Sequence, residues 1–184
     1  MVDEELLSVA KELVKLMDKE ADKLLPKEIV DVVKLHSKLA VGSAWIPVPG
    51  ADIAAGAANI WGMYIRINNK INIPFKENVI KTIGAGVATN LVSYIAVSGV
   101  ASTLKFIPGI GSLGGALIMS ASLYAVTLAS GWVYLKALCT LAEQEGPMLD
   151  MAKLNDAVND ILKQKGLIKS FIGQAKKEYK KVKI

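Results

Sequence analysis

The sequence predicts an all-α protein, and three observations carry that expectation. Apolar residues recur every three to four positions along most of the 184 residues, and no segment alternates with a period of two. Proline and glycine punctuate the chain at Pro47/Pro49, Pro74, Pro108/Gly109 and Gly146/Pro147, leaving intervals of helical length between them. Finally, residues 82–135 hold a single charge, Lys105, in 54 positions, a run far too long for a buried strand. About seven helices are expected, arranged around a central glycine- and alanine-rich apolar hairpin.

Each element has a local reason. Residues 1–25 form an amphipathic pattern, with Leu6, Ala10, Leu13, Met17 and Leu24 on one stripe and Asp3, Glu4 and Glu5 where a helix dipole favours anions. An acidic, periodic start of this kind is unlike the basic n-region and apolar core of a signal peptide. Pro26 ends that segment and suits the first position of the next, 27–44, in which Ile29, Val32, Val33, His36 and Ala40 fall at helical spacing. Pro47, Pro49 and Gly50 make a turn, because each proline removes a donor and biases its predecessor away from helix. Asp52 then suits a cap for 51–69. After Pro74, a helix is expected over 75–104. Pro108 and Gly109 break it, and a second long apolar helix follows over 112–145. Beyond Gly146-Pro147 two shorter helices are expected, 148–164 and 167–181. The chain thus divides into an amphipathic hairpin (1–44), an apolar core (45–146) and C-terminal helices with a basic end (147–184).

Composition excludes several function classes. The chain is 52% apolar, which is incompatible with general disorder. A single cysteine, Cys139, excludes a disulfide framework, and one cysteine with one histidine leaves no Cys/His metal cluster. His36 reads as a packed or surface histidine and Cys139 as a small buried hydrophobe. Gly109, Gly111 and Gly114 match the spacing of a dinucleotide fingerprint, but they follow a helix instead of a strand, so that reading is rejected. No catalytic motif and no cofactor is expected.

Charge and side-chain size point to surfaces. Residues 82–104 and 106–135 are each long enough to span a bilayer, with Lys76, Lys81 and Lys136 at one end and Lys105 at the other. Trp45, Trp61, Trp132, Tyr64 and Tyr134 would then form interfacial belts; in a soluble bundle they would be core and rim. Gly84, Asn90, Ser93, Gly111, Gly115, Ala121 and Ala125 make a small-residue helix-packing interface, either within one chain or between copies. Residues 163–184 hold eight lysines and one acid, with Leu167, Ile168, Phe171, Ile172, Ala175 and Tyr179 interleaved. Lys176, Lys177, Lys180 and Lys181 are the expected contacts to an anionic surface; the alternative is a solvated charged face whose apolar stripe packs on the bundle. A single arginine, Arg66, argues against nucleic acid as the partner.

Two turns carry a resemblance. Ile46-Pro47-Val48-Pro49-Gly50-Ala51-Asp52 and Ile107-Pro108-Gly109-Ile110-Gly111-Ser112, the latter followed by Tyr124 and Gly131 in an alanine-rich helix, make residues 40–141 resemble a bacterial helical domain of unknown function. That domain occurs attached to small GTPase domains and in inner-membrane proteins. No Gly-x-x-x-x-Gly-Lys-Ser/Thr loop is present, so any nucleotide hydrolysis implied by the resemblance belongs to a partner. The two turns also echo each other at an offset of 61 residues, either an old helix-hairpin duplication or a turn type used twice. The resemblance implies fold and context, a bacterial cytoplasmic location with inner-membrane association; with the scarcity of catalytic motifs, the expectation is a non-enzymatic interaction module. It would self-associate or partner a GTPase-type protein. The alternatives are a soluble bundle that buries its hairpin by oligomerisation, and an effector that inserts the hairpin conditionally.

Overall fold

The computed structural model describes residues 27–43, 51–70, 77–96, 111–145 and 150–179. All of these fall in helices or the short turns that join them, and no strand occurs among the described residues. Six helices are described: α1 (Lys27–Ser43), α2 (Ala51–Lys70), α3 (Glu77–Ala96), α4 (Gly111–Glu145), α5 (Met151–Leu162) and α6 (Lys165–Tyr179). The expected segment 1–25, the turns at Pro47, Pro49, Gly50, Pro108 and Gly109, and Lys180 and Lys181 lie outside the described residues.

The 35-residue α4, roughly 50 Å long, is the axis of the bundle and touches all five other helices. Between positions 120 and 135 every residue is buried except Tyr124, which is half-buried. A helix covered on all sides has no polar face to keep, which accounts for its lack of charge. The uncharged run of α3 has a different cause. Ile80, Ile83, Val87 and Leu91 are buried, while Ala85, Gly86, Thr89, Asn90 and Ser93 face outwards, so its exposed side is small and neutral.

Side-chain pairs fix the helix directions. Gly56 lies against Leu123, Tyr64 bonds to Ser130 and Asn68 to Tyr134, so α2 and α4 run parallel. Val33 meets Gly131 while Val41 is reached by Ser120, so α1 runs antiparallel to α4. Trp132 packs on Phe171 and Tyr124 on Tyr179, which sets α6 antiparallel as well.

Local chemistry trims the expected ends. Asp150 accepts from the Ala152 backbone N–H at 2.9 Å, and this cap starts α5 three residues later than the expected 148. Lys163 and Gln164 form the turn into α6.

Candidate functional site

Among the described residues, two buried polar constellations, a solvent-facing cleft and a basic helix face stand out. The first constellation joins α2 to α4. Tyr64 and Asn68 are one turn apart on α2, and Ser130 and Tyr134 are one turn apart on α4. The Tyr64 hydroxyl lies 2.6 Å from Ser130 Oγ and 3.1 Å from the Ser130 carbonyl. When Tyr64 donates to the carbonyl, its oxygen accepts from Oγ–H. One turn on, the Tyr134 hydroxyl accepts from Asn68 Nδ2 at 2.8 Å and donates to Oδ1 at 3.0 Å. All four residues are buried. Burial raises both phenol pKa values far above their ordinary range, so the pair is neutral at all ordinary pH.

The second constellation joins α1 to α2. His36, 4% exposed, sets Nδ1 at 2.8 Å from Asn59 Oδ1 and 3.0 Å from the Asn59 carbonyl. Both are acceptors, so Nδ1 carries the proton. Asn59 Nδ2 returns a bond to the His36 carbonyl at 2.7 Å. This tautomer leaves Nε2 as a buried acceptor without a partner. Burial lowers the imidazole pKa below its ordinary value, the bonds to Asn59 oppose that shift, and Arg66 adds to it.

A shallow cleft of about 560 Å³ opens beside α3 at the α5–α6 turn. Asn90, Asp156, Asn159, Asp160, Lys163 and Lys165 line it. Its charges are balanced, and Lys163 already bonds to Asp160 at 2.7 Å on the surface. Among the described residues that line it there is no imidazole, thiol or hydroxyl. No group of three metal-ligating side chains exists among the described residues.

The predicted interface residues separate. Gly84 is buried where α3 crosses α2, and a Cβ there would sit 3.6 Å from Trp61 Cα. Ala121 and Ala125 are buried within α4. Asn90 and Ser93 are exposed, and the Ser93 hydroxyl bonds to the Asn90 carbonyl on the same helix. Gly111 and Gly115 belong to α4, where only their backbone is described. Of the basic set, Lys176 is half-buried, with burial lowering its pKa, and Lys177 lies in α6. The apolar stripe of that helix (Ile168, Phe171, Ile172, Ala175 and Tyr179) is buried against the bundle. Tyr64, Tyr134 and Trp132 are core residues, with Lys136 stacked over Trp132 at 5.1 Å.

Sequence reasoning missed the Tyr64–Asn68 and Ser130–Tyr134 pairing. Its trace in the sequence is a matched i, i+4 pair in each helix, Tyr64/Asn68 in α2 and Ser130/Tyr134 in α4. The partner of Gly131 was also unforeseen. A Cβ at Gly131 would overlap Cγ1 of Val33 and come within 2.8 Å of its Cγ2, so this glycine allows α1 to cross α4 in contact.

Among the described residues, no helix is long and apolar enough to cross a membrane. The expected spanning pair of 82–104 and 106–135 is described only over 82–96 and 111–135, and its residues 97–110 lie outside the described residues. No protein-family model matches the chain. No solved structure matches it either. The chain is 33% identical over 107 residues to magnetosome membrane protein 22 of Magnetospirillum gryphiswaldense, a match that covers 58% of this chain. The chain spans about half the length of that relative (55%), which makes it a distant homologue of a bacterial membrane protein.

Proposed function

We propose that this chain is a helical interaction module, without catalytic activity, that works at a bacterial inner-membrane surface. The observation that carries the proposal is the relationship to a magnetosome membrane protein. The burial of α4 within its own bundle supports attachment to the surface over insertion. Lys165 and Lys169, exposed on α6, supply a basic face suited to anionic headgroups. Within this reading the module self-associates or serves a GTPase-type partner. The resemblance of its turns supports the partner, and the exposed small face of α3 around Gly86 and Asn90 supports close helix approach.

Cell fractionation tests the proposal. The full chain should sediment with membranes at low salt and be released by alkaline carbonate. Complete recovery in the soluble fraction at low salt would reject it. That result would favour the second reading, a soluble structural bundle, for which the all-round burial of α4 is the specific support. Light scattering on the purified chain tests self-association, and a monomer at all concentrations would remove it.

A further inference from the structure

The outer face of α1 carries an apolar pair between two opposite charges. Leu35 and Leu39, one turn apart, are 45% and 54% exposed, and they are the large hydrophobic residues that stand out as exposed among the described residues. Asp31 lies one turn before Leu35, Lys38 and Gly42 lie after it, and all three are exposed. These five positions fall within about 60° of Leu35 around the helix, and Lys34 sits about 100° round, on the flank. A Cβ at Gly42 would meet nothing within 4 Å. Val33 and His36 point the other way, to Gly131 of α4 and Asn59 of α2.

We infer that this face binds a second copy of the chain, α1 packing antiparallel on the partner's α1 about a two-fold axis at Leu35. The inference rests on the self-association proposed above and names its surface. An interface of this symmetry has to be complementary to itself, and the charges meet that condition. Asp31 lies four residues to one side of Leu35 and Lys38 three to the other. Antiparallel pairing therefore brings Asp31 level with the partner's Lys38 to within about one residue rise, 1.5 Å along the axis. Both ends of the contact gain an opposite pair, whereas parallel pairing would set like charges side by side. Leu35 meets its own equivalent at the centre, and Gly42 lets the backbones approach at the ends. Charge also selects a protein over a membrane. An anionic lipid surface would attract Lys38 but repel Asp31 on the same face. A contact confined to the 17-residue α1 is smaller than the about 800 Å² per partner of a stable complex, so the dimer is reversible and concentration-dependent.

Sedimentation equilibrium of the full-length chain over a concentration series tests the pairing by charge reversal. Asp31→Lys or Lys38→Asp alone sets like charge against like at both ends and should weaken the dimer roughly tenfold or more. Combining the two restores opposite pairs and should return the native dissociation constant. Leu35→Glu/Leu39→Glu should give a monomer whose circular dichroism is native, because both positions are exposed. A second measurement uses Cys139→Ser as background. Leu35→Cys, on the axis, should form an intermolecular disulfide under mild oxidation, and Asn159→Cys, exposed on α5, should not. A double reversal no tighter than the single ones, or equal cross-linking at residue 159, would overturn the inference. A native dimer that none of these variants weakens would overturn it while leaving self-association in place. A native monomer at every concentration would overturn both. Protection of Leu35→Cys from a thiol reagent only with anionic vesicles would assign the face to lipid, and protection in the isolated monomer would assign it to another part of the same chain; either result would overturn the inference.

Discussion

The rings of Tyr64 and Tyr134 lie face to face, with centroids 4.0 Å apart and planes 11° from parallel. Each hydroxyl reaches past the other ring to the opposite helix, Tyr64 to Ser130 on α4 and Tyr134 to Asn68 on α2. The stack and its two polar ends hold α2 and α4 in one register. A slip of one residue would break both bonds and bury four polar groups unpaired.

Tyr134→Phe should therefore cost more than its lost volume. It preserves the stacked ring but leaves the Asn68 carboxamide buried without its partner, at about 1–3 kcal/mol. Adding Asn68→Leu should recover part of that loss, because the stranded group is then gone. Urea unfolding of the two single variants and the double variant measures the coupling. Strict additivity would show that the pair does not act as a unit.

Gly131→Ala should destabilise the bundle by roughly 1–3 kcal/mol, since the new methyl group lands on the γ carbons of a stiff, buried Val33. Val33→Ala in the same chain should relieve the overlap and recover part of the stability. Gly86→Ala is the contrast: its Cβ enters open space, so thermal unfolding should show no loss and a gain of up to about 1 kcal/mol.

Stability should fall on mild acidification because of His36. Its folded pKa lies below the unfolded value of 6.5, mainly because the ring is buried. Between those two values the unfolded chain binds the extra proton. The contribution of neutral His36 is thus complete above pH 6.5 and is lost as pH falls towards the folded value. For one proton the slope is at most about 1.4 kcal/mol per pH unit. Denaturation at pH 7.5 and 5.5 should show this loss in the native chain and a flatter profile in His36→Gln. Identical profiles would remove His36 as the cause.

Much of the architecture was legible because it depends on local rules. Proline positions and the 3.6-residue period placed α1, α2 and α4 within a residue or so at their described ends. What stayed hidden depends on which helix meets which. Nothing local distinguishes a helix buried by other helices from one buried by lipid, and the uncharged run of α4 fits both. The tyrosine stack requires α2 and α4 to run parallel, and the Val33–Gly131 contact requires α1 to cross in the opposite sense. The amphipathic pattern of α6 and the packing of its apolar stripe on the bundle were legible, but not that Trp132 and Tyr124 are what the stripe meets. With that stripe occupied, Lys165 and Lys169 are exposed on the described part of α6 for a surface partner.

The central claim is that this bundle attaches to an anionic membrane surface without inserting a helix. Flotation of the purified full-length chain with vesicles tests it most directly. The account predicts that the chain purifies without detergent and floats with anionic vesicles at low salt. It should also dissociate in 1 M salt and bind neutral vesicles poorly. Changing Lys176, Lys177, Lys180 and Lys181 to glutamine should weaken flotation, with a lysine near an anionic surface contributing on the order of 1 kcal/mol and the half-buried Lys176 less. A chain that requires detergent and stays with vesicles through carbonate and high salt would contradict the account, as would one that floats with neither kind of vesicle.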